Sequence, residues 1–131
     1  MSVPVLRNTR QKAAIRRAFE TQDRPLSPRE VLELARREVA GLGMATVYRN
    51  LKSLLEEEWL TPVPMPGGTV FYERAGKKHH HHFQCDRCRR VFEVNGCLPA
   101  LNRLAGSGFA VERHELILYG ICAACRGRRR K

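Results

Sequence analysis

The sequence carries 131 residues, with 24 Lys and Arg against 13 Asp and Glu for a net charge of +11, and five cysteines. No apolar run approaches the ~18 residues of a membrane span and no secretory signal opens the chain, so a cytoplasmic protein without a membrane partner is expected. The length suits one domain or two small ones, and a unit of about 60 residues makes a marginal core that needs a metal, a disulfide or a second chain.

The positive charge points to a polyanion, with nucleic acid first. Its distribution does not locate the binding face: residues 1–75 sum to +3 and residues 76–131 to +8. Much of the second excess is Arg126-Gly127-Arg128-Arg129-Arg130-Lys131, which reads as a solvated end. The face must come from a motif instead.

From Thr9 the pattern is helical, with Ala14, Ile15, Ala18 and Phe19 on one apolar face, until Arg24-Pro25 breaks it. Ser27-Pro28-Arg29-Glu30 is a capping box with proline at the first helical position. It predicts a second helix burying Val31, Leu32, Leu34, Ala35 and Val39 and ending at Gly41 and Gly43. A third helix is expected from Ala45 to Glu58, with Val47, Leu51, Leu54 and Leu55 facing inward. Thr46, Tyr48, Arg49, Asn50, Ser53 and Lys52 fall on its other faces, and such side chains reach phosphates and base edges. The arrangement suggests a helix-turn-helix on double-stranded DNA. Residues 59–73 hold two β-prone runs around Pro66-Gly67-Gly68, which read as a hairpin wing.

Arg74 to Lys78 is a polar, glycine-containing joint. We take residues 1–74 as a winged-helix domain, 75–78 as a hinge and 79–131 as a second, α/β domain. There, Phe83 to Cys85 and Val91 to Val94 read as strands, Leu98 to Ala105 as a short helix, and Phe109 to Tyr119 as a long β-type segment. The expected fold class is α+β.

Two Cys-x-x-Cys pairs, Cys85 with Cys88 and Cys122 with Cys125, offer four thiolates. Two such knuckles complete a tetrahedron suited to structural zinc, with redox thiols as the alternative. Cys97 has no partner motif and reads as a small buried or half-buried residue rather than a ligand. The run His79-His80-His81-His82 alternates faces if it is extended. Glu73 and Glu93 could then complete a site with His80 and His82, and His114 could join His79 and His81; the plain alternative is a solvated histidine tract.

Together these residues resemble the ferric uptake regulator family. Ala45-Thr46-Val47-Tyr48-Arg49-Asn50-Leu51, the wing, the histidine run, both knuckles and Leu118-Tyr119-Gly120 carry the resemblance, over residues 8 to 126. It implies a homodimeric, metal-dependent transcriptional repressor with an N-terminal winged helix and a C-terminal dimerisation domain. It makes Cys85, Cys88, Cys122 and Cys125 the structural zinc ligands. It puts Glu73, His80, His82 and Glu93 at the sensing site and His79, His81 and His114 at a second site. It places Tyr48 and Arg49 among the residues that meet DNA. The sequence departs from the family where Asp23 to Ser27 hold no histidine, where His81 replaces an aspartate common in iron-type members, and near Ala100, where no acidic ligand stands. The sensed ion is expected to be Fe2+ or Zn2+ ahead of Mn2+ or Ni2+, and the operator a palindrome. A redox-active thiol protein and a metal storage or chaperone protein are the alternatives; no catalytic constellation is present.

Overall fold

The computed structural model describes residues 3–127; the basic tail expected at 128–131 lies outside them. The chain divides into two compact units, one ending at Gly76 and the other beginning at Lys77.

In the first unit, three helices surround one core. α1 spans Val3–Gln22, α2 Pro28–Ala35 and α3 Met44–Glu56. Ile15 and Phe19 from α1, Val31 from α2 and Val47, Leu51 and Leu54 from α3 are buried together, with Leu26 and Leu42 closing the ends. α1 begins at Val3 rather than Thr9, a first turn being able to accommodate the proline at position 4. The capping box forms: Ser27 accepts from the Glu30 N–H, and the Glu30 carboxylate accepts from the Ser27 N–H. Such a cap contributes about 1 kcal/mol. α2 stops at Ala35, earlier than the glycines suggested. Arg37 and Glu38 already bond three residues back, and Arg36 Nε reaches the Leu42 carbonyl.

β1 (Leu60–Pro64) and β2 (Val70–Arg74) form an antiparallel hairpin around the glycine turn. Gly67 and Gly68 have φ of 99° and 92°, a region that side chains disfavour. Leu26 and Tyr72 exchange backbone bonds of 2.8 and 2.9 Å, which fasten the hairpin to the segment before α2. At its base Trp59 lies edge-on to Phe19 and between the guanidinium groups of Arg16 and Arg74, 5.1 and 4.7 Å from its ring centre.

In the second unit a three-stranded sheet has the order β4-β3-β5. β3 (His81–Cys85) pairs antiparallel with β4 (Val91–Val94) and parallel with β5 (Ile117–Gly120). Pro99–Ala105 is a 3₁₀ helix, and α4 is the short turn Ala123–Gly127. The long strand expected from Phe109 shrinks to Ile117–Gly120. β3 is only five residues long; its ladder with β5 begins at the bond from the His82 N–H to the Leu116 carbonyl, and among the described residues the segment before Leu116 pairs with no strand. Gly120 packs closely on Phe83: a Cβ there would lie 3.3 Å from the ring, which would have to shift by a few tenths of an ångström.

Candidate metal centres and nucleic-acid face

The β3–β4 turn carries Cys85 and Cys88, and the end of β5 delivers Cys122 and Cys125. One sulfur from each lies within 4.8 Å of the other three. Cys85, Cys122 and Cys125 are buried, and none of the four is in a disulfide. The backbone N–H groups of Arg87, Cys88 and Cys122 each donate to Cys85 Sγ at 3.4 Å. Burial raises the Cys85 thiol, but these donors outweigh it and bring its pKa down to about 6. Burial and the neighbouring sulfurs push Cys88 up to about 11. Cys85 is thus favoured as a thiolate, and its neighbour Cys88 is favoured as a thiol beside it. This donor set fits a tetrahedral thiophilic ion.

The histidine run does alternate. His80 and His82 pair at 4.8 Å between ring centres, and His79 and His81 at 4.6 Å. On the first face, His82 stands opposite Glu93 in the β3–β4 ladder, and His80 Nε2 lies 3.8 Å from the Glu93 carboxylate. His80 Nδ1 donates to the Lys78 carbonyl at 2.7 Å, which leaves Nε2 its lone pair for a ligand. Lys77 forms an ion pair with the same Glu93 carboxylate. Glu73 lies in the other unit, buried on β2 opposite Thr61.

On the second face, His79 Nε2 and His114 Nε2 are 3.1 Å apart. His114 Nδ1 donates to Asn102 Oδ1 at 3.0 Å, again freeing Nε2. His81 is buried; its Nδ1 accepts from the Leu116 N–H at 3.1 Å, while its Nε2 has no hydrogen-bond partner. Burial, and then the charges of the surrounding histidines, lower its pKa and hold the ring neutral.

Cys97 corrects the sequence reading. It is exposed rather than buried or half-buried, and its Sγ lies 3.2 Å from His114 Nε2 and 3.5 Å from His79 Nε2. No spacing rule pointed to it, because its neighbours are 17 and 18 positions away.

In the first unit, Tyr48, Arg49 and Lys52 are exposed on α3, and Thr46 and Asn50 are half-buried. Arg49 donates to Thr46 Oγ1 at 3.0 Å, and Asn50 Nδ2 donates to the Thr46 carbonyl at 2.9 Å. Thr46, Arg49 and Asn50 share a depression of about 290 Å³ with Asn8, Gln11 and Lys12 of α1. The sequence reading gave the α1 side chains no part in this face, since helical periodicity says nothing about which helices adjoin.

A winged helix, a four-cysteine cluster and two histidine faces thus occur in one chain. The sequence pattern of the Ferric uptake regulator family matches residues 5–119. The chain belongs to the ferric uptake regulator family. It is therefore a metal-responsive, DNA-binding transcriptional regulator and not an enzyme. The regulator is 33% identical to a zinc uptake regulation protein of Mycobacterium tuberculosis, over 96% of this chain and 99% of that one. It superposes on the Francisella tularensis ferric uptake regulator with iron at a TM-score of 0.67 and 26% identity, covering 88% and 91% of the two chains. With a zinc-bound manganese uptake regulator the TM-score is 0.75 at 25% identity, covering 86% and 87%. These names span three metals, iron, zinc and manganese. No helix among the described residues is long and apolar enough to cross a membrane.

Proposed function

We propose that this regulator is a homodimeric repressor that binds a palindromic operator when a divalent ion occupies His80, His82 and Glu93. The carrying observation is the convergence of those three side chains on one face, beside a separate four-cysteine cluster. Imidazole and carboxylate donors suit Fe2+ and Zn2+, with Mn2+ and Ni2+ behind them. Glu73, which the family resemblance adds, would bring a ligand from the winged-helix unit into the same coordination sphere. Metal would then favour one arrangement of the recognition helices over others, which raises affinity for half-sites about one helical turn apart.

Cys85, Cys88, Cys122 and Cys125 hold the structural ion, Zn2+, which keeps the small second unit folded. His79, His81 and His114 form a further site, supported by ligand atoms that lie within 4.8 Å of one another. Thr46, Tyr48, Arg49, Asn50 and Lys52 meet the DNA. The dimer rests on an apolar surface: Leu98, Leu104, Phe109, Leu118 and Tyr119 are large, exposed and all in the second unit, and β5 is a sheet edge. The expected compartment is the cytoplasm.

The test is metal-dependent affinity for a duplex that the protein selects from a random pool, read by fluorescence anisotropy. His80→Ala with His82→Ala should abolish the metal dependence while leaving the cysteine-bound zinc in place. An unchanged metal response would refute the assignment.

A further inference from the structure

We infer that Cys97 is a metal ligand, and that with His79, His81 and His114 it forms a thiolate-containing site selective for a borderline ion of the zinc class over Fe2+. This inference rests on the reading of the second histidine face as a metal site and adds to it the deciding ligand and the class of ion.

Three atoms carry the argument. His79 Nε2, His114 Nε2 and Cys97 Sγ form a triangle with sides of 3.1, 3.2 and 3.5 Å. Bond lengths of about 2.0 Å to nitrogen and 2.3 Å to sulfur place tetrahedral ligand pairs roughly 3.3–3.6 Å apart. The triangle is therefore already close to three corners of a zinc tetrahedron. Asn102 orients one corner, since its acceptance from His114 Nδ1 turns the lone pair of Nε2 toward Cys97 and His79. The fourth corner is His81. Its Nε2 is buried without a partner, and all four residues offer ligand atoms within 4.8 Å of one another. With Nδ1 accepting from Leu116, the neutral ring keeps its proton on Nε2. His81 joins when that backbone bond opens, so it closes the site last.

The sulfur decides selectivity. The cluster contains no carboxylate. Three imidazoles and one thiolate favour zinc-class ions, whereas hard oxygen donors would be needed to favour harder ones. On binding, the Cys97 thiol releases its proton to solvent and the thiolate bonds the metal. The charge of a divalent ion is thus partly neutralised by one ligand that sits outside both knuckles.

The experiment uses the full chain with His80→Ala and His82→Ala, its cysteine-bound zinc retained, titrated with Co2+. We expect one Co2+ per chain with a thiolate-to-cobalt charge-transfer band in the near ultraviolet and the strong visible absorption of a tetrahedral site. Adding Cys97→Ser should remove the charge-transfer band and weaken binding at least tenfold. Zn2+ should displace the Co2+, and anaerobic Fe2+ at the same concentration should not. No Co2+ uptake would sink both the second-site reading and this inference. Uptake with a band unaffected by Cys97→Ser would leave the second site standing and overturn the role of Cys97. Equal displacement by Fe2+ would overturn the selectivity. A measurement free of any Cys97 variant accompanies these: in the His80→Ala, His82→Ala chain with its cysteine-bound zinc retained, one further equivalent of Zn2+ should slow alkylation of Cys97 by iodoacetamide at least tenfold, and unprotected Cys97 would overturn ligation.

Discussion

The backbone N–H of Cys122 donates to Cys85 Sγ at 3.4 Å, joining two knuckles that are 37 positions apart in sequence. That bond and the two from Arg87 and Cys88 ready one sulfur for a cation before any ion binds. If the four cysteines hold zinc as proposed, Cys85→Ser should release it. Because so small a unit cannot bury enough apolar surface alone, amides of β3 and β5 should exchange at least about 100-fold faster. Amides of α1 to α3 should keep their protection, since their core is made of other residues. Hydrogen exchange with element analysis reads both, and zinc retained at full occupancy would show that three sulfurs suffice.

Lys77 is ion-paired with the Glu93 carboxylate, the group proposed above as a ligand of the regulatory ion. A metal must displace that ammonium group, and a partly exposed pair of this kind contributes up to ~1 kcal/mol. Lys77→Gln should tighten regulatory metal binding by about fivefold, measured by competition with a chromophoric chelator. Weaker binding would mean that Lys77 positions Glu93 rather than competing for it.

Arg49 and Lys52 should separate in their effects on DNA. Arg49 is held by Thr46 on the exposed side of α3, the face proposed above to meet DNA. Arg49→Ala should cost about 1–3 kcal/mol on the preferred duplex and narrow the gap to random DNA if it reads a base. Lys52→Ala should weaken all duplexes alike and reduce the salt slope by about 1. Anisotropy titrations at several salt concentrations give both quantities.

Leu118 is 43% exposed on edge strand β5, beside Tyr119 at 50%. Leu118→Asp puts a charge onto the surface proposed above for the dimer. Sedimentation velocity should show a shift from dimer to monomer at micromolar concentration, with the cysteine-bound zinc unchanged. A dimer of undiminished stability would place the interface elsewhere.

Asn102 should matter for metal and not for folding, being exposed and bonded to His114. Asn102→Ala frees the imidazole to turn and should weaken the ion at His79, His114 and Cys97 by about 10–100-fold, the usual effect of losing such a support. Isothermal titration of the His80→Ala, His82→Ala protein measures it against an unaltered melting profile.

Sequence by itself determined the helices of the winged unit, the hairpin, the knuckles and the alternation of the histidines. These follow from signals local in the chain: a capping box at Ser27 and Glu30, apolar spacing from Val47 to Leu54, glycines at the turn, and paired cysteines. It also separated His80 and His82 from His79 and His81, because a strand's period of two requires it. Tertiary structure decided what lies opposite those faces. Cys97 reaches His114 and His79 only because the chain folds residues 97 and 114 back beside β3. Asn102 orients His114, and the Leu116 N–H ties His81 Nδ1, through contacts that no local pattern encodes. The overestimate of the Phe109 strand has the same origin. β propensity marks residues able to extend, whereas a strand exists only where a neighbouring edge supplies its hydrogen bonds, and among the described residues β3 pairs with this segment only over Ile117–Gly120, the first bond running from the His82 N–H to the Leu116 carbonyl.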